Sequence, residues 1–183
     1  MMDTNSVISS IINPEKLYSR SEVLSKPCPV LERGGFCAFY FQDIPPEVPV
    51  EGCHVKDSKT LLYIGISGNL RTRVVSNHFR GNASISTLRL SMGLLLSLSL
   101  RRVKERIRFT REDEEWLNDW MEDHAFVCWV EHNALGNIKG EILTELSPPL
   151  NIDYNKHHPF SMRLSRMRED AKNEARSLPI VNE

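Results

Sequence analysis

The chain has 183 residues, a length that suits one domain with extensions. Hydrophobic residues make up 40 % and charged residues 26 %, the balance of a soluble globular protein that buries roughly 70 % of its unfolded surface. A net charge of -1 excludes bulk electrostatic attraction to nucleic acid and leaves that role to a local basic patch.

Residues 1–13 carry no strong pattern and are expected to be loosely ordered. Pro14 to Leu24 reads as a short helix, with Asn13 as N-cap and Pro14 at its first position, ended by Pro27 and Pro29. Phe36 to Phe41 is aromatic and apolar, as a buried strand requires. A long connection with Pro45, Pro46, Pro49 and Gly52 leads to a second β-rich run, Thr60 to Ile66, which Ser67-Gly68 breaks. The two runs form a wide antiparallel hairpin on this reading.

Asn69 caps a predicted helix from Leu70 to about Phe79, and Gly81 stops it. Ser86 or Thr87 caps another, with Leu88, Met92, Leu95 and Leu96 on one face. Arg101 to Arg108 alternates basic with apolar residues and suits a strand or loop edge. Asp113 to Asp123 is an acidic helix with Leu117, Trp120 and Met121 as its buried stripe. Ala125 to Glu131 is a strand belonging to the same sheet as the hairpin, and Asn137 to Leu146 a helix stopped by Ser147-Pro148-Pro149. Phe160 to about Leu178 is the last helix, with Leu164, Met167 and Ala171 inward. Strands and helices do not alternate regularly, so the expected class is α+β: a small, mainly antiparallel sheet flanked by helices, with N- and C-terminal helical extensions.

The cysteines Cys28, Cys37, Cys53 and Cys128 form no C-x-x-C pair. Neither a zinc site nor a disulfide framework is expected. The N-terminus lacks the charged-then-apolar pattern of a signal peptide, and the Leu88–Leu100 stretch contains Arg89 and is too short to span a bilayer. A reducing, cytoplasmic compartment with no membrane contact is the expectation.

The richest segment is Leu61-Leu62-Tyr63-Ile64-Gly65-Ile66-Ser67-Gly68-Asn69-Leu70-Arg71-Thr72-Arg73. A strand delivers a tyrosine, a glycine allows close backbone approach, and a helix follows with two arginines in its first turns. A phenol and an imidazole handle protons, a guanidinium grips phosphate oxygens, and a carboxylate-held divalent metal stabilises a leaving oxygen.

These residues resemble the GIY-YIG nuclease superfamily. Gly35-Phe36-Cys37 matches the first half of its signature, Tyr63-Ile64-Gly65 the second, Asn69 to Arg73 the helix start, and Pro148-Pro149-Leu150-Asn151 the closing asparagine. Similarity to a little-described group of bacterial members extends through Ser21 to Leu24, His78 to Ala83 with Ser86 to Leu90, Trp129 to His132, and Asn155 to Phe160. The resemblance implies an N-terminal extension over 1–33, a nuclease domain over 34–159 and a C-terminal helix over 160–183 packed on it.

It also implies roles. Tyr63 positions or deprotonates the attacking water. Arg73, eight residues after Gly65, grips phosphate, and His78 is a proton acceptor on the same helix. Asn151 fixes the end of the helix that bears the metal. Arg71, Arg80 and Arg89 are expected to bind nucleic acid. Two positions depart from the pattern. Cys37 stands where the first signature tyrosine belongs, and Lys139 falls in the register of the metal-binding glutamate. Glu141, two residues on and about 200° around the helix, serves as metal ligand only if the helix start is irregular at Gly140. The implied function is a DNA endonuclease dependent on Mg2+ or Mn2+, with RNA left open. The alternative is a degenerate module that binds nucleic acid or a protein partner without cleavage.

Overall fold

The computed structural model describes residues 3–183, the side chain of Asn137 excepted. Its centre is a five-stranded, wholly antiparallel sheet in the order β1-β7-β2-β4-β3. The strands are β1 (Tyr18–Ser19), β2 (Gly35–Phe41), β3 (Val55–Lys56), β4 (Lys59–Ser67) and β7 (Ala125–Glu131). A separate hairpin pairs β5 (Arg101–Val103) with β6 (Arg106–Arg108).

Every residue of β2 is buried, because it lies between β4 and β7 and is covered on both faces. Alternation sends Phe36, Ala38 and Tyr40 into one core and Cys37, Phe39 and Phe41 into the other. The first core is closed by α1 (Thr4–Ile12) and α6 (Leu135–Leu146), through Val7, Ile8, Ile11, Ile142, Leu143 and Leu146. The second is closed by α3 (Thr72–Phe79), α4 (Thr87–Leu95), α5 (Arg111–His124) and α7 (Pro159–Ser177), with the short α2 (Arg20–Leu24) at its edge. The class is α+β, as expected.

Two expectations for the N-terminus need correction. Thr4–Ile12 is a regular helix, capped by Asp3, whose carboxylate accepts from the Ser6 N–H at 2.8 Å. Met1 and Met2 lie outside the described residues. Asn13 ends this helix rather than starting the next, and within 14–24 only Arg20–Leu24 is helical, begun by a capping box of Ser19 and Glu22. The apolar residues Val7, Ile8 and Ile11 have helical spacing, but three serines dilute the pattern.

The other predicted elements are present within a few residues. Helix α3 differs in kind. It is π-helical: the Arg80 N–H donates to the Val75 carbonyl, five residues back, at 2.9 Å. The hairpin β2–β4 also carries a bulge, since Phe39 faces Tyr63 while Tyr40 faces Leu61, leaving Leu62 over. That extra residue puts Leu62 and Tyr63 in the same helical-side core.

Candidate active site

On its outer side β4 pairs with β3 at Lys59 and Thr60, and the Leu61 N–H donates to the His54 carbonyl at 2.9 Å, so the edge beyond Leu61 needs another partner. The segment after α6 supplies it. The Leu150 N–H donates to the Leu62 carbonyl at 2.9 Å, and the Asn151 side chain clasps Ile64, accepting from its N–H at 2.8 Å and donating to its carbonyl at 2.9 Å. Asn155, fully buried, donates to the carbonyls of Pro148 and Asn151. Asn151 therefore extends the sheet with a side chain.

Where β4, this segment, α3, α6 and α7 meet there is a recess of about 340 Å³. Its polar lining is Tyr63, Arg73, Thr87, Lys139, Asn151, Asp153 and Arg168. The Arg73 Nη2 donates to the Tyr63 hydroxyl at 2.9 Å, and that hydroxyl lies 3.2 Å from Thr87 Oγ1. The Arg73 Nε is buried without a partner among the described residues. Arg168 reaches in from α7, donating to Ser91 Oγ from Nε at 2.8 Å and to the Leu150 carbonyl from Nη2 at 3.1 Å. Burial lowers its pKa, and the neighbouring Tyr63 and Asp153 oppose that shift.

His78 does not reach the recess. It is fully buried, its Nδ1 2.7 Å from Ser86 Oγ and its ring edge-on to Tyr63 and Phe39. Burial, with Arg73 and Arg89 nearby, holds its pKa well below the ordinary imidazole value, so it is neutral. It stands behind Gly65: a Cβ there would lie 3.4 Å from His78 Nε2 and 2.7 Å from Cys37 Sγ. Only glycine leaves room for both. Burial pushes the Cys37 thiol up to about 12, so it is neither a thiolate nor a substitute phenol.

Helix α6 runs unbroken through Gly140, so the register is kept and Lys139 lines the recess. Its ammonium lies 5.0 Å from the Tyr154 ring centroid. Glu141 must be withdrawn as metal ligand. It is exposed on another face of the helix, accepting from Thr4 Oγ1 of α1 at 2.8 Å.

The three arginines expected at a nucleic-acid surface fare differently. Arg80 is exposed at the end of α3. Arg71 is tied to the Val30 carbonyl and to Glu32, each at 2.8 Å. Arg89 is a plain correction. Its side chain is 0 % exposed and pairs with Glu114 at 2.6 Å, with further bonds to Asn118 and the His78 carbonyl.

Sequence reasoning missed Arg168, Asp153 and Thr87. Arg168 had a signal, since it falls four residues after Leu164 and seven before Ala175, on the buried stripe of α7.

Residues 39–170 match the family model described as the GIY-YIG catalytic domain. The chain belongs to this family. It thus carries a nuclease-type domain, whose match begins two residues past Cys37. Neither the curated proteins nor the solved structures yield a significant match. No helix among the described residues is long and apolar enough to cross a membrane.

A divalent metal fits this recess poorly. Such ions need several hard oxygen ligands. The lining offers one carboxylate, Asp153, against the cations Arg73, Lys139 and Arg168. No group of three or more His, Cys, Asp or Glu side chains suited to a metal occurs among the described residues.

Proposed function

We propose that this GIY-YIG domain binds the phosphodiester backbone of nucleic acid in the Tyr63–Arg73 recess without a resident metal. The observation that carries the reading is the charge of the lining, three cations to one carboxylate, with Lys139 in the register where the family places its acid. A phosphate entering the recess meets the guanidinium of Arg73, oriented by Tyr63, and the Lys139 ammonium, a compact point charge. The Tyr63 hydroxyl accepts from Arg73, which leaves its own proton for Thr87 or for a phosphate oxygen.

Fluorescence anisotropy with labelled oligonucleotides in EDTA and in magnesium tests this. The expected result is salt-sensitive binding that magnesium does not enhance, weakened by Arg73→Ala and by Lys139→Ala, with no magnesium-dependent plasmid nicking. Binding that both variants leave intact would overturn it.

A second reading, a divalent-metal-dependent DNA endonuclease, draws on the intact Tyr63–Arg73 bond and on Asp153 in the recess. Magnesium-dependent nicking by the wild type that Asp153→Asn abolishes would select it.

A further inference from the structure

The recess does not end at Arg168. A second hollow, of about 310 Å³, adjoins it and shares Ile152 and Arg168. This one follows α7, lined by Ser165, Arg168, Glu169, Lys172, Asn173 and Arg176. Its cations recur every fourth residue, so they form one stripe, each about 6 Å further along the helix axis. Across both hollows the lining holds Arg73, Lys139, Arg168, Lys172 and Arg176 against Asp153 and Glu169. On a chain of net charge -1 this is a concentrated positive track. Lys172 and Arg176 have no carboxylate within ion-pair reach among the described residues. Both also lie past residue 170, where the match to the family domain stops.

We propose that α7 is a strand guide: a single strand of nucleic acid seated by one phosphate in the recess continues over Arg168, with its next phosphates on Lys172 and Arg176. The proposal rests on the reading of the recess as a phosphate site. A single strand is the occupant because the cations lie in one file along α7, four residues apart. Arg168 is the junction. Its anchors on Ser91 and Leu150 hold it in place, so it contributes to both hollows without reorganising.

The test compares a dinucleotide, whose single phosphodiester can occupy the recess alone, with a long oligonucleotide, each as oligothymidylate and oligouridylate. The variant is Lys172→Gln/Arg176→Gln, which keeps the side-chain stems; a melting temperature equal to the wild type's verifies its fold. Losing two single-strand phosphate contacts should flatten the log–log salt dependence of long-strand binding by about 1.4. Dinucleotide binding should not change, while Arg73→Ala should weaken both lengths. Lys172→Arg/Arg176→Lys should retain the wild-type slope. An unchanged long-strand slope in the Gln variant, with dinucleotide binding still dependent on Arg73, overturns the guide and leaves the recess standing. Failure of the wild type to bind either length overturns both. Parallel behaviour of the deoxy and ribo strands supports a backbone guide, whereas a slope change confined to one base sequence rather than to length overturns it.

Discussion

Removing the guanidinium of Arg89 separates its two assignments, nucleic-acid contact and internal strut. In the folded chain Arg89 donates to Glu114 Oε2 from Nε at 3.0 Å and from Nη2 at 2.6 Å. It also donates to the carbonyls of Glu114 and His78 and to Asn118 Oδ1. Arg89→Met keeps much of the stem but leaves the Glu114 carboxylate, 6 % exposed, with the Ala83 N–H as its remaining partner. Breaking one side of a buried ion pair costs about 3–5 kcal/mol, a large part of a total stability of roughly 5–15 kcal/mol. For a chain of this size each kcal/mol moves the melting temperature by about 2–4 °C, so the expected fall is about 6–20 °C. Arg89→Met/Glu114→Leu removes both charges and should recover most of it. Thermal unfolding followed by circular dichroism measures the loss, and anisotropy well below the melting point measures binding by folded protein, which should match the wild type. An Arg89→Met protein that melts like the wild type yet binds oligonucleotide poorly would refute the strut.

Asn151→Ala strips the β4 edge of its side-chain partner and leaves the Ile64 N–H and carbonyl unmatched. The expected cost is about 1–3 kcal/mol for each group not recovered by water, read by denaturant titration. His78 gives a pH dependence. Its depressed folded pKa means that the unfolded chain binds the extra proton, so its contribution is complete above the ordinary imidazole value of about 6.5 and is lost as pH falls below it. The slope from this one group reaches about 1.4 kcal/mol per pH unit, and His158, also lowered, adds to it. His78→Gln should flatten the profile between neutral and mildly acidic pH; an unaltered profile would mean that folding does not shift the His78 pKa.

The sheet was legible because its strands are continuous apolar runs that no helix period fits. Phe36 to Phe41 and Ala125 to Glu131 appear in the structure almost residue for residue. The π-helical turn at α3 was not legible, because its amphipathic pattern serves a wide helix and an ordinary one equally. Tyr63 and Arg73 could be read from one short segment. Asp153 could not, and for Arg168 the sequence marked only a cation on the buried stripe of α7, since tertiary packing brings α7 and the chain after Asn151 to that segment. The errors at Arg89 and Glu141 share one cause. Charge identifies a residue type, but the side a helix turns to its neighbours decides whether that charge faces solvent, a buried partner or the recess. For Glu141 the register already carried the answer, since α6 keeps its helical phase through Gly140.

Lys139 is also supported by its surroundings. A Cβ at Gly140 would lie 3.2 Å from Tyr154 Cδ1, so the missing side chain admits the Tyr154 ring against α6. Tyr154 holds that place with φ 58°, a left-handed conformation uncommon outside glycine. The ring so placed lies 5.0 Å from the Lys139 ammonium. The Tyr154 carbonyl accepts from Thr144 Oγ1, which ties the same loop residue to the next turn of the helix. Lys139→Glu alone would set a carboxylate against the electron-rich face of that ring. It would also leave Arg168 and Arg73 in the recess as competing partners. The positive character of the site is therefore distributed over α3, α6 and α7, and one substitution cannot reverse it.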